Sequence, residues 1–139
     1  MGALSHAPRC VLDTHAALWT QLAPARLSRA ARKALADLPP AAVAMSDVTL
    51  TEIARLLRDG RVVPGAAAPG AWLDAFGVCF NVLPVTPRIA WTAAAFDWPH
   101  RDPCDRHILA TAVVHVLPLM TVDPLITAFA PTVGVEIVW

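Results

Sequence analysis

The sequence lacks several features that identify particular classes of protein, beginning with an overall charge. It has no net charge, because eleven Lys and Arg residues balance eleven Asp and Glu residues, and only one cation is Lys. A neutral chain cannot attract nucleic acid through its overall field, so such binding would need a local basic surface. Only 16% of the residues are charged, whereas 56% are hydrophobic. This composition indicates a compact core and excludes a disordered chain.

Cysteines and long apolar runs are also scarce. The three cysteines, Cys10, Cys79 and Cys104, fit no zinc or haem pattern and indicate buried free thiols in a reducing compartment. No segment approaches the roughly 20 apolar residues of a membrane span, and the first nine residues lack the apolar core of a secretion signal. We therefore expect a cytoplasmic protein without a membrane partner. Its 139 residues predict one domain, with the first nine as a flexible extension.

Short apolar runs alternate with longer segments of helical periodicity. The runs predict five strands, at 10–12, 42–45, 80–83, 117–120 and 133–138. The segments between them predict helices, including a helix capped by Ser28 and others at 49–58, 71–76, 87–96 and 103–116. This alternation favours an α/β fold with three layers, in which helices cover both faces of a short, mostly parallel sheet of about five strands.

Four of the eleven acidic residues occupy related positions in this pattern. Asp13, Glu52 and Asp123 follow predicted strands, and Asp105 opens the helical pattern before the fourth strand. The carboxyl ends of neighbouring parallel strands share one edge of a sheet, where open α/β sheets form their ligand sites. We therefore expect the four carboxylates to converge. Their mutual repulsion favours a hard divalent cation with oxygen ligands, Mg²⁺ or Mn²⁺.

Each acid also has a plainer interpretation as a helix cap. Thr49 and Glu52 fit a capping box, and Asp13 precedes the first predicted helix. Asp102 and Asp123 each precede a Pro, which is the arrangement of an N-cap followed by the first helical residue. Taken singly, these acids are better explained as caps. Four at one predicted edge favour a site, because a helix start can hold a carboxylate that also faces a metal.

Four segments of the sequence, taken in order, resemble the motifs of PIN-domain proteins. Residues 11–19 read VLDTHAALW, and residues 45–54 read MSDVTLTEIA. Residues 101–112 read RDPCDRHILATA, and residues 117–123 read LPLMTVD. They are similar to the family patterns LLDTHxxLW, ISxxSxxEIA, RDPFDRxLIAxA and LPLLTxD. The resemblance extends from about Cys10 to Trp139, and its departures, such as Cys104 in place of a frequent Phe, affect packing more than chemistry.

The DPxDR form of the third motif resembles the VapC-type toxins of bacterial toxin–antitoxin pairs. The resemblance implies a Mg²⁺-dependent endoribonuclease that hydrolyses RNA phosphodiester bonds, is held inactive by a cognate antitoxin, and forms a homodimer. It implies four metal-binding and catalytic carboxylates: Asp13, Glu52, Asp105 and Asp123. It also implies an accessory acid and three polar neighbours that orient carboxylates or water: Asp102, Thr14, Ser46 and Thr121.

Two other functions stay open at this point. The same fold could serve as a housekeeping RNA-processing nuclease without an antitoxin, or as a catalytically idle interaction module, although four acids argue against the latter. An acidic pocket repels RNA, so nearby cations must offset it. Two groups are candidates, for which a solvated helix face is the plainer interpretation: Arg26, Arg29, Arg32 and Lys33 on one predicted helix face, and Arg55, Arg58 and Arg61.

Overall fold

The computed structural model describes residues 7–139, which form five strands and seven α-helices in alternation. The strands are β1 (Cys10–Leu12), β2 (Val43–Ser46), β3 (Asn81–Leu83), β4 (Leu119–Met120) and β5 (Ile137–Val138). The helices are α1 (Thr14–Leu22), α2 (Arg29–Leu35), α3 (Asp47–Arg58), α4 (Pro69–Gly77), α5 (Pro87–Ala95), α6 (Pro103–His115) and α7 (Pro124–Phe129). Three short 3-10 helices lie at Pro24–Arg26, Pro40–Ala42 and Ala130–Val133.

The five strands form one sheet in the order β3-β2-β1-β4-β5. Every neighbouring pair is parallel, and Val11 of β1 lies opposite Ala44 of β2 and Leu119 of β4. All carboxyl ends therefore lie on one edge, with β1 at the centre. The predicted α/β fold with a parallel sheet of five strands is confirmed.

Two apolar layers cover the sheet, because successive side chains of a strand point to opposite faces. Leu12 and Met45 belong to the cluster on one face, whereas Val11 and Ala44 belong to the cluster on the other, which includes Ile108 of α6. β1 and β2 are buried along their whole length, which is typical of parallel strands covered on both sides. The three-layer arrangement follows.

Several element boundaries differ from those predicted. Ser46, not Thr49, caps α3, and its hydroxyl accepts from the Val48 N–H at 3.3 Å, so the predicted capping box of Thr49 and Glu52 is wrong. β5 begins later than predicted because a 3-10 helix and the positive φ of Gly134 (79°) occupy the start of its apolar run. Arg26 ends a separate 3-10 helix and does not share a helix face with the cations of α2.

Three expectations about the chain as a whole have different outcomes. The first six residues of the predicted extension lie outside the described residues, whereas Arg9 donates its backbone N–H to the Ala42 carbonyl at 2.7 Å. Cys10 is buried, and burial raises its pKa to about 11, but Cys79 and Cys104 are only half-buried. Within residues 7–139, no helix has both the length and the apolar character needed to cross a bilayer.

Candidate active site

The carboxyl edge of the sheet carries a cavity of about 420 Å³. The loop after β1 and the loop after β4 bring their acids there because the two strands are neighbours. The crossover helix α6 leads back into β4, so its first turn also lies at this edge. Five carboxylates line the cavity: Asp13, Glu52, Asp102, Asp105 and Asp123. Its other lining residues are Thr14, His15, Trp19, Val122 and Pro124, so no Lys or Arg of the described residues lines it.

Asp13 is the most enclosed of these acids, with an exposed fraction of 6%. It caps α1, because its Oδ1 accepts from the Ala16 N–H at 2.8 Å, and its Oδ2 accepts from the Thr121 hydroxyl. Burial raises the pKa of Asp13, and the hydrogen bonds from Thr121 and Ala16 oppose that shift only in part. The neighbouring charge of Asp123 raises the pKa further.

Thr121 connects two of the acids. Its hydroxyl donates to Asp13 and accepts from the backbone N–H of Asp123 at 3.0 Å. Asp123 in turn caps α7, where its Oδ1 accepts from two backbone N–H groups, those of Leu125 at 2.8 Å and Ile126 at 3.2 Å. Both of these bonds use the same oxygen, so the other oxygen of Asp123 is available to a ligand.

Glu52 reaches the cavity from the second turn of α3 and not from a helix start, as its predicted capping role would require. The hydroxyl of Thr14 donates to its Oε2 at 2.6 Å. Thr14 is 3% exposed and directly follows Asp13, so one residue pair at the end of β1 fixes two carboxylates. This bond also connects α1 with α3.

The start of α6 contributes the remaining two acids. Asp102 caps the helix, because its Oδ1 accepts from the N–H groups of Cys104 at 2.9 Å and Asp105 at 3.1 Å. Asp105 lies 2.7 Å from His100, between Oδ2 and Nε2. Burial raises the pKa of Asp105, the His100 hydrogen bond opposes this shift, and the charges of Asp102 and Asp123 add to it.

Comparisons with known proteins place this arrangement in a family. The family model of the PIN domain matches residues 10–130. The chain belongs to the PIN-domain family. Over 116 residues it is 36% identical to Ribonuclease VapC22 of Mycobacterium tuberculosis, a span of 81% of this chain and 85% of that relative.

Solved structures share the same PIN fold. One chain of a toxin–antitoxin complex from Klebsiella pneumoniae matches with a TM-score of 0.61 and 26% identity, covering 91% of this chain and 94% of that one. DNA-bound VapBC from Salmonella typhimurium matches with a TM-score of 0.65 over 94% of this chain and 96% of that one. At 18% identity, the second match supports the fold alone.

The eight site residues predicted from the sequence do not all lie in the cavity of this PIN domain. Six of them line it: Asp13, Thr14, Glu52, Asp102, Asp105 and Asp123. Thr121 is fully buried and lies behind Asp13, which it contacts through its hydroxyl. Ser46 is also fully buried but caps α3, and it does not line the cavity. The structure thus gives Ser46 a local structural contact only.

Two residues with clear contacts at the site were missed from the sequence. His100 bonds Asp105, and Arg106 uses its guanidinium to hold the loop that carries His100. The guanidinium donates to five backbone carbonyls, at distances from 2.7 to 3.4 Å, of Ala93, Ala94, Phe96, Trp98 and His100. Asp105 and Arg106 are adjacent in the DPxDR motif, which was the only available signal. Their partners lie across a loop that residue spacing does not predict.

The ligand set of the cavity can be tested against a metal ion. Among the described residues, no three His, Cys, Asp or Glu side chains lie close enough to enclose one ion. Mg²⁺ does not require such a cage, because it keeps several waters and is usually bound by one or two carboxylates together with substrate phosphates. A cavity lined by carboxylate and hydroxyl oxygens suits this hard cation or Mn²⁺ and disfavours soft metals.

Proposed function

We propose that this PIN domain is a divalent-metal-dependent endoribonuclease that serves as the toxin of a toxin–antitoxin pair. One observation carries the proposal: five carboxylates line a single cavity, and the same cavity holds the four acids of the PIN motifs. The 36% identity to a relative named as a ribonuclease supports the reaction class. An RNA phosphodiester is anionic, so this cavity admits it only with a compensating cation, which supports Mg²⁺ or Mn²⁺.

In this proposal the ion binds in the cavity that the four acids line: Asp13 and Asp105 would bind it directly, and Glu52 and Asp123 would contribute through its bound waters. When bound, the ion lowers the pKa of a water and offsets charge on the phosphoryl oxygens. The remaining contribution of the chain is to position the carboxylates. Thr121 and the Ala16 N–H orient Asp13, Thr14 orients Glu52, and His100 orients Asp105. These hydrogen bonds engage one oxygen of Glu52, one oxygen of Asp105 and both oxygens of Asp13. The carboxylates are therefore held in place before a ligand arrives.

We further propose an antitoxin protein and a second copy of this chain as partners, with cytoplasmic RNA as substrate. The matching Klebsiella pneumoniae structure is a toxin–antitoxin complex, which supports an antitoxin partner at 26% identity. A housekeeping nuclease would share the same cavity but would have no such partner. Co-expression with the product of an adjacent gene separates the two: a toxin forms a stable complex that does not cleave RNA, and releasing the partner restores cleavage.

The nuclease activity is tested with purified protein and total RNA. We expect cleavage with Mg²⁺ or Mn²⁺, its loss with EDTA, and its return when the metal is added in excess. Asp13→Asn should abolish cleavage, whereas Asp74→Asn, an exposed carboxylate of α4 outside the cavity, should retain it. Cleavage by Asp13→Asn that still depends on the metal would show that the cavity is not the active site.

A further inference from the structure

A second cavity of about 340 Å³ adjoins the acidic one, and the two share His15 and Trp19. We call it the arginine cavity. Its lining comes from α1, the 3-10 helix after it, and the end of α3 with the loop that follows: His15, Leu18, Trp19, Leu22, Ala23, Arg26, Leu56, Arg61, Val62 and Val63. Two of its apolar side chains are well exposed, Leu22 at 43% and Val63 at 72%. The cavity thus combines apolar, aromatic and cationic groups.

The two cavities have opposite charge. Five carboxylates and no Lys or Arg line the first, whereas Arg26 and Arg61 and no carboxylate line the second. The Arg26 guanidinium lies 5.4 Å from the centroid of the Trp19 ring, which holds this cation at the junction of the cavities. His15 is exposed there, with its ring centroid 6.0 Å from that of Trp19. A path therefore leads from acids through aromatic rings to arginines.

Three other arginines have contacts of their own. Arg58 pairs with Asp59 at 3.0 Å, and Arg55 donates to the Cys104 sulfur at 3.6 Å. Arg106 is committed to backbone carbonyls. Within the described residues, Arg26 and Arg61 form no ion pair with a carboxylate, so their guanidinium groups are available to a phosphate. Among the two groups of cations considered from the sequence, Arg26 from the first and Arg61 from the second line this cavity.

We infer that the arginine cavity binds a nucleotide of the single-stranded RNA next to the bond that is cleaved, an inference that rests on the proposed function. Proteins bind single strands with cationic grooves that follow the backbone and aromatic rings on which bases stack. A chain without net charge needs such a local site, since its overall field gives no attraction. The volume lies near the lower end of the roughly 300–1,000 Å³ of ligand pockets, which suits one nucleotide.

The test replaces both arginines, as Arg26→Gln with Arg61→Gln. A charge-matched control replaces two exposed arginines that line neither cavity, as Arg9→Gln with Arg88→Gln. Cleavage of a short single-stranded RNA of mixed sequence gives KM and kcat. Binding of the same RNA is measured over a salt series in the inactive Asp13→Asn background, and thermal melting checks that each variant is folded.

We expect the double variant to raise KM severalfold, to leave kcat nearly unchanged, and to melt like the control. Its plot of log affinity against log salt should lose about 0.7 of slope for each phosphate contact removed. If the wild-type protein cleaves RNA and the two double variants have the same KM and the same salt slope as each other, the inference is overturned. Weaker antitoxin binding with unchanged RNA binding would also overturn it, by assigning the cavity to the protein partner. Wild-type protein that cleaves no RNA would instead refute the proposed function on which the inference depends.

Discussion

The hydroxyl of Thr121 should be worth more to this protein than an ordinary buried hydroxyl, because it serves two acids at once. It donates to Asp13 and accepts from the Asp123 N–H at 3.0 Å, and the residue is fully buried. Thr121→Val preserves the shape of the side chain and removes both bonds. The Asp13 carboxylate then loses a donor within a site where burial already raises its pKa.

The size of the effect follows from these two bonds. A hydrogen bond to a charged group contributes about 1.5–3 kcal/mol, and one between neutral groups contributes about 0.5–1.5 kcal/mol. The free energy of unfolding of metal-free Thr121→Val should therefore fall by about 2–4 kcal/mol at neutral pH. Losing the Thr121 bond also raises the Asp13 pKa further, since that bond lowers it in the wild type. The difference should shrink as pH falls and Asp13 becomes protonated in both proteins.

Thr111 offers a matched control, because it is also fully buried and its hydroxyl donates to the His107 carbonyl within α6 at 2.7 Å. That carbonyl keeps its helical N–H partner, so Thr111→Val should cost less than about 1 kcal/mol. Urea unfolding with EDTA at several pH values measures both variants. Equal losses in the two, or a Thr121→Val loss that does not change with pH, would refute the reasoning.

Three further predictions concern neighbouring groups. Asp13→Asn should stabilise the metal-free protein at neutral pH. Because the pKa of Asp13 is raised in the folded protein, the wild type loses stability as pH rises above the ordinary Asp value of 3.8, and Asn avoids that loss. Thermal melting with EDTA should show that the stability gained by the variant disappears in acid. Arg106→Lys should lower the free energy of unfolding by about 3 kcal/mol, because one ammonium cannot donate to all five carbonyls that the guanidinium contacts. Hydrogen exchange should show faster opening of the 96–101 loop, and RNA cleavage should weaken. Val116 is 85% exposed and has a left-handed φ of 55°, which costs a residue with a Cβ more than it costs Gly, so Val116→Gly should raise the free energy of unfolding by about 1 kcal/mol. Val78 is the control, because it also lies at a helix C-cap but has a φ of −76°, and Val78→Gly should lower the free energy of unfolding. Urea unfolding measures both variants.

The sequence was informative where local pattern and topology coincide. Alternating runs predicted the parallel sheet, and parallel strands require a shared carboxyl edge, so the convergence of Asp13, Asp123 and Asp105 on one cavity followed without knowledge of the strand order. Helix caps were predicted well where one residue stood alone before Pro, as with Asp123. The predicted capping box of Thr49 and Glu52 was wrong, because both Ser46 and Thr49 could cap α3 and residue spacing alone did not distinguish them.

Contacts between elements were beyond the reach of the sequence. His100 contacts Asp105 only because the loop before α6 folds back over the start of that helix. The Arg106 guanidinium holds this loop through hydrogen bonds to its backbone carbonyls, and residue spacing does not predict these bonds. The Thr14 bond to Glu52 spans 38 residues and depends on α1 packing beside α3. Each is a tertiary contact whose partners have no fixed sequence separation. A single sequence therefore indicated which residues carry charge but not which groups hold those charges in place.

The site and the stability of the domain place opposite demands on the same carboxylates. Asp13 and Asp105 lie in surroundings that raise their pKa values, so keeping both ionised at neutral pH costs the metal-free protein free energy. Caps and hydroxyl donors reduce that cost without removing it, because neutralising these acids fully would need a cation within the cavity. The arginines of the chain stay outside it, and two of them line the adjoining cavity. Under the proposed function, cations that lie beside the acids and not among them would leave the carboxylates free for a metal and would offer an anionic strand a binding surface outside the metal site.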